Sequence, residues 1–270
     1  MNDTGQEALP LKGEKPGLAD VLRVIRRVTL IAAWTVGLFL VRLTFMPLSI
    51  VARVTERRMR QSILRLWGRG IARIAGMRIE VVGTPPAPPF LLVSNHLSYA
   101  DIVVYAQCLG CLFVSMAEVS SWPLIGWISK GMNTLFIDRK RMRDARRVAE
   151  LIQASLHEGN GMLVFPESVT SPGETVLPFK PALLEPAVAI GLGVHYATLR
   201  YANPGAVPPA SIAVCWTDNT PFGVHVLRLL RVPRFEARVI FGSEPIAADD
   251  RKELAARLRD AVAAQLDPVE

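Results

Sequence analysis

The most pronounced pattern along the chain is a long apolar run. From Val28 to Ala52 almost every position is hydrophobic, broken by Arg42, and the run is long enough to span a bilayer. Arg23, Arg26 and Arg27 precede it, and Arg53, Arg57, Arg58 and Arg60 follow it. A simple span biases its positive charge to one side. Charge on both sides instead predicts a helix pair that dips into one leaflet, with Arg42 and Pro47 near its bend or at the headgroup level. The run starts late and no small-residue cleavage site follows it, which argues against a cleavable leader. Next, Ile63, Leu64, Leu66, Trp67, Ile71 and Ile74 recur at helical spacing, with Arg58, Arg65, Arg69 and Arg73 among them. Such a basic amphipathic helix suits an anionic membrane surface; an ordinary surface helix is the plainer alternative.

After Gly76 the period changes. Strands are predicted over Met77 to Val82, Phe90 to Val93, Leu112 to Met116, Leu135 to Ile137, Met162 to Phe165, Val194 to Leu199, Ile212 to Trp216 and Ala237 to Phe241. Helices are predicted from near Ser98, over Asp144 to His157, over Leu183 to Ile190, and after Asp249 or Asp250 through Leu266. Alternating strands and helices imply an α/β fold, with a mostly parallel central sheet and flanking helices, joined to an N-terminal membrane-associated helical segment. The expected organisation is a flexible polar tail (1–17), membrane-associated helices (18–76) and an α/β domain (77–270). The run Phe222 to Leu230 reads equally as a second membrane contact or a core helix.

Composition sharpens the membrane reading. Half the residues are hydrophobic and the mean hydropathy is +0.28, high for a soluble domain. The net charge of +7 calls for an acidic partner. Basic residues do not alternate with aromatics as a base-stacking platform requires, so nucleic acid is not expected. Anionic lipid or an acidic carrier protein fits better. Cys108, Cys111 and Cys215 lie in apolar surroundings; they read as small buried hydrophobes rather than as a disulfide framework. The Cys108–Cys111 spacing has no second pair to complete a zinc site, and no metal-ligand cluster is evident.

The chemistry lies in Ser94-Asn95-His96-Leu97-Ser98-Tyr99-Ala100-Asp101. An imidazole carried off the end of a strand, with a carboxylate behind it, makes a general base and its orienter. Five positions along a continuous helix do not share a face. His96 therefore belongs to the loop, and Asp101 to the first helical turn, folding back. Ser98-x-x-Asp101 also resembles a capping box, and the two roles can coexist.

Two further blocks follow: Phe136-Ile137-Asp138-Arg139, and Phe165-Pro166-Glu167-Ser168. With Asn95-His96-x4-Asp101, their order and spacing resemble the glycerolipid acyltransferase family, typified by 1-acylglycerol-3-phosphate acyltransferases. The resemblance covers about residues 75–200, and N-terminal membrane helices are usual in that family. It implies transfer of a fatty acyl group from an acyl thioester, on coenzyme A or acyl carrier protein, to a lysolipid hydroxyl. His96 would be the base and Asp101 its orienter, with no cofactor. Asn95, Arg139, Glu167, Ser168 and Lys180 would serve the substrate, Arg139 binding an anionic headgroup.

The third block departs from the family's usual Phe-Pro-Glu-Gly-Thr-Arg-Ser. Ser168, Val169 and Thr170 stand at the Gly, Thr and Arg positions. Losing that arginine removes a bidentate phosphate clamp. The following Pro172-Gly173-Glu174 and Leu177-Pro178-Phe179-Lys180 look similar to the lyso-ornithine lipid acyltransferase branch, with Lys180 the substitute charge. The expectation is 1-acylglycerol 3-phosphate as acceptor by family frequency, with lyso-ornithine lipid the alternative. A lipid-binding protein without activity on the same fold is the alternative of another class. No Gly-x-Ser-x-Gly elbow supports a serine hydrolase. The expected location is the cytoplasmic face of a membrane, the inner one in a bacterium.

Overall fold

The computed structural model describes residues 17–122, 125–138, 141–204, 208–217 and 220–266. Arg139 and all of the expected tail except Gly17 lie outside these residues. Apolar helices come first: α1 (Leu18–Phe45), α2 (Leu48–Val51) and α3 (Arg53–Ala75). The rest alternates as the sequence periods predict. The strands are β1 (Met77–Val82), β2 (Phe90–Ser94), β3 (Leu112–Met116), β4 (Leu135–Ile137), β5 (Gly161–Val164), β6 (His195–Ala202) and β7 (Phe235–Phe241). Between and after them run α4 (Ala100–Leu109), α5 (Ile125–Gly131), α6 (Met142–His157), α7 (Glu185–Ala189), α8 (Ala210–Ala213), α9 (Phe222–Leu229) and α10 (Arg251–Ala264).

One seven-stranded sheet has the order β1-β7-β6-β2-β5-β3-β4. Neighbours are parallel except β6 and β7. The central strand β2 is buried on both faces, as its unbroken apolar run requires. Phe90 and Leu92 join the core beneath α3 and α4, while Leu91 and Val93 join the core beneath α6 and α10. Parallel β2 and β5 are aligned Val93 to Val164, so their carboxyl ends open on the same edge. Open α/β sheets bind ligands beyond that edge.

The expected strand at Ile212 to Trp216 is instead the single turn α8 and the extended residues after it. Both sides of β6 are already taken, by β2 and β7, so the sheet offers no slot beside it. Pro209 at the N-cap starts the turn, and Trp216 N–H then donates to Leu97 O (2.9 Å) rather than to a strand.

α1 is held to the domain along its length. Arg27 donates from Nη1 to Val232 O (2.6 Å) and from Nη2 to Pro233 O (2.8 Å). In the middle, Trp67 Nε1–H donates to Thr35 Oγ1 (3.1 Å). Near its end, just before the break at Pro47, Arg42 is buried against Glu56 of α3 at 2.6 Å. The outer face of α1 leaves Leu22, Ile25, Leu40 and Leu43 exposed. α2, just past Pro47, exposes Ile50 at 82% and Val51 at 80%. Among the described residues, α1 is the one helix long and apolar enough to cross a membrane. α3 ends at Gly76 (φ 78°), whose left-handed backbone suits glycine and where a Cβ would meet Pro233 O at 2.4 Å.

Candidate active site

His96 and Asp101 meet as the sequence expects. β2 delivers the histidine to a loop, and the first turn of α4 turns the aspartate back, so that His96 Nδ1 lies 2.7 Å from Asp101 Oδ2. The same carboxylate oxygen accepts from Leu97 N–H (2.8 Å) and Ser98 N–H (3.1 Å). Ser98 Oγ in turn accepts from Ala100 N–H (3.3 Å). Asp101 thus makes one half of the expected capping box, while Asp101 N–H bonds Ser98 O rather than its hydroxyl. Asp101 is wholly buried, and its other oxygen accepts from Tyr201 O–H at 2.8 Å. Four hydrogen bonds satisfy a carboxylate that would otherwise be costly to bury. Since a carboxylate only accepts, Nδ1 carries the proton and Nε2 is left as the basic nitrogen.

The imidazole is fixed from other sides too. Its ring stacks on Phe165, with centroids 4.1 Å apart and planes 14° from parallel. Glu167 Oε2 accepts from His96 N–H (2.9 Å), and Oε1 accepts from Leu177 N–H (2.9 Å). Glu167 therefore braces the two loops through backbone. Burial pushes its carboxyl up to about 7, against the pull of these two N–H donors. Ser171 N–H donates to His96 O (2.9 Å), which closes the contact between first and third blocks.

The remaining expected site residues are placed unevenly. Asn95 lies behind the site: its Nδ2 donates to Leu199 O and its Oδ1 accepts from Leu199 N–H, both at 2.8 Å. It extends the β2–β6 ladder with a side chain. Ser168 lines the site in the left-handed region (φ 65°), which explains why glycine suits that position in the related pattern. Thr170 donates from Oγ1 to Trp216 O. Lys180 is exposed on the same wall, with its N–H bonded to Pro166 O (3.0 Å). Phe165 enters the sequence reading only as the start of the third block, with no role of its own, and Tyr201 does not enter it. A tyrosine facing inward on a buried strand needs a hydroxyl partner, and that signal points to Tyr201.

His96, Phe165, Ser168, Thr170 and Lys180 line a cavity of about 1280 Å³, with Asp101, Glu167, Asn95 and Tyr201 behind its wall. One part of its wall is apolar, with Ile31, Leu38, Ile63, Trp67 and Ile71 from α1 and α3. His96 and Phe165 lie on it, and Lys180, Arg141, Arg146 and Arg251 also line it. A volume above that of ordinary small-molecule sites, walled largely by hydrocarbon, accommodates a long acyl chain with a polar head. Among the described residues no group of three or more His, Cys, Asp or Glu could hold a metal.

Comparison with known proteins agrees with this geometry. The acyltransferase family profile matches residues 78–201, which run from β1 into β6 and include His96, Asp101, Phe165, Glu167, Ser168, Lys180 and Tyr201. A lyso-ornithine lipid O-acyltransferase of Pseudomonas aeruginosa is 34% identical over 206 residues, covering 76% of this chain and 78% of the relative. A 1-acyl-sn-glycerol-3-phosphate acyltransferase of Neisseria meningitidis is 33% identical over 50% of this chain and 53% of its own. The crystal structure of a 1-acyl-sn-glycerophosphate acyltransferase from Thermotoga maritima shares the fold, with a TM-score of 0.64 at 18% identity, over 91% of this chain and 95% of its own.

Proposed function

We propose that this chain, which belongs to the acyltransferase family, transfers a fatty acyl group from an acyl thioester to the hydroxyl of a lysolipid, with lyso-ornithine lipid as acceptor. The observation that carries the reaction is the 2.7 Å contact between His96 Nδ1 and the buried Asp101 carboxylate on the wall of a large apolar cavity. His96 Nε2 takes the proton of the acceptor hydroxyl as its oxygen attacks the thioester carbonyl. The C–O bond forms, the tetrahedral adduct collapses, the C–S bond breaks, and the imidazolium returns its proton to the leaving thiolate. Asp101 stabilises that imidazolium. The amides of Leu97 and Ser98 already serve Asp101. Ser168 N–H is likewise bonded, to Phe165 O, so Val169 and Thr170 on the cavity wall are the positions whose amides would stabilise the oxyanion. Coenzyme A or acyl carrier protein would present the thioester.

Two observations favour the ornithine acceptor over 1-acylglycerol 3-phosphate. The relative named for lyso-ornithine lipid is matched over 78% of its length, the one named for the phosphate over 53%. Thr170 replaces the phosphate-clamping arginine of the related pattern and spends its hydroxyl on Trp216 O. Lys180 remains on the wall, with Arg141 there paired to Asp138 at 3.2 Å, and Arg139 would add headgroup contact.

Residues 18–76 would hold the enzyme in one leaflet. α1 is fastened to the α/β domain near its start, by Arg27, and to α3 near its end, by Arg42, so a crossing α1 would drag both into hydrocarbon. An α1 lying in the membrane plane keeps its exposed face in lipid and its inner face on the cavity. The domain then faces the cytoplasm, where acyl thioesters are made. The test is a competition assay: full-length protein, one acyl thioester and equimolar lyso-ornithine lipid and 1-acylglycerol 3-phosphate, with products weighed by mass spectrometry. Acylated ornithine lipid should dominate. Acylation confined to the phosphate acceptor would overturn the acceptor assignment, and acylation of neither would overturn the reaction.

A further inference from the structure

We infer that Tyr99 and His225 form a positioning pair for the His96–Asp101 loop, its histidine supplied from outside the matched acyltransferase region. The inference rests on the reading of His96 as the base. Tyr99 lies between the two catalytic-type residues, and its hydroxyl is 3.0 Å from His225 Nδ1. His225 sits on α9, beyond the family match at residues 78–201. Its Nε2 is 3.1 Å from Cys215 O, a carbonyl that only accepts, so Nε2 carries the proton. In the neutral ring Nδ1 then accepts from Tyr99 O–H. Burial raises the Tyr99 pKa and keeps the phenol protonated for this role.

The pair belongs to a larger brace. Trp216, next to Cys215, donates its N–H to Leu97 O (2.9 Å), in the same loop. Phe222 of α9 meets the Tyr99 ring edge-on with centroids 4.9 Å apart, and Trp216 does so at 5.8 Å. Cys215, Trp216, Phe222 and His225 thus grip the loop from one side while Glu167 and Ser171 grip it from the other. Beyond its last turn α9 meets α1, because Leu230 O and Val232 O accept from Arg27. His225 is 4% exposed and does not line the cavity, whereas Tyr99 does. That burial rules out His225 as a second base and leaves positioning as its contribution. The mechanism needs a fixed imidazole, since displacement by about 1 Å costs on the order of 10²-fold in rate.

Steady-state kinetics of full-length Tyr99→Phe, His225→Phe, His225→Gln and the Tyr99→Phe/His225→Phe double variant test this. Tyr99→Phe and His225→Phe should each lower kcat about tenfold with KM of both substrates within about twofold, and the double variant should be no worse than either single one. Glutamine can donate to Cys215 O and accept from Tyr99 O–H, so His225→Gln should recover kcat to within about threefold of wild type. Additive losses, a change confined to KM, or no recovery by glutamine would overturn the pairing. So would wild-type kcat in Tyr99→Phe, which keeps the ring and decides the matter even if His225→Phe fails to fold. His96→Ala is run alongside. If it retains activity the catalytic reading fails, and if it is inactive while Tyr99→Phe is unaffected, only the pairing fails.

Discussion

At the scale of single residues, the site is held by buried polar groups, Asp101 above all. Asp101 serves His96, Leu97, Ser98 and Tyr201 at once. Tyr201→Phe should therefore weaken the orientation of the base without abolishing it, costing about 1 kcal/mol or more of stability and a several-fold loss of kcat. A thermal melt read beside kcat checks both. Glu167 makes a pH prediction. Its folded-state carboxyl titrates near 7, above its ordinary value of 4.5. The native state then binds the proton more tightly than the unfolded chain. The stability this supplies is fully present below about 4.5 and is lost as pH rises through 7, with a slope of at most about 1.4 kcal/mol per pH unit. Denaturant titrations of wild type and Glu167→Gln across that window should differ by this slope, and parallel curves would contradict it. The sequence exposed His96, Asp101 and Glu167 because their types and spacing are rare together. It gave no sign that Asn95 would pair with Leu199, because that depends on which strand lies beside β2.

The elements explain why the site forms where it does. β2 and β5 run parallel with aligned ends, so one edge receives both the His96 loop and the Glu167 loop. α4, which carries Asp101, is held close to α3 at Gly68, where a Cβ would lie 2.6 Å from Gln107 N and 2.8 Å from Val103 O. Gly68→Val should push α4 away, lower stability by roughly 1–3 kcal/mol and reduce kcat along with it. Unchanged melting temperature would contradict this contact. Ile50 and Val51, exposed on α2, test the membrane account with no core to disturb. Ile50→Asp with Val51→Asp should shift the protein from vesicles to the supernatant in a sedimentation assay while leaving its melting unchanged. Most of these elements were legible from the periods of the apolar pattern. The run Ile212 to Trp216 was not, because its few β-branched and apolar residues suit a strand in isolation, and only the filled sheet denies them one.

At the scale of the whole molecule, the helical segment and the α/β domain share the cavity. Residues from α1 and α3 meet residues of the catalytic loops around one volume of about 1280 Å³. Hydropathy announced the helices and motif spacing announced the site, but neither told that the first would wall the second. That fact depends on contacts such as Arg27 with Val232 O, which join positions far apart in sequence. Leu38→Trp, on the α1 wall of the cavity, should shift preference toward shorter acyl thioesters; an unchanged chain-length profile would place the acyl chain elsewhere. The central claim is that His96 drives acyl transfer to a lysolipid hydroxyl. It is tested most directly by timing thiol release from an acyl thioester with lyso-ornithine lipid, for wild type and His96→Ala at matched membrane concentration. The account predicts a fall in kcat of about 10²–10⁴ for His96→Ala. A kcat equal to that of wild type would contradict it.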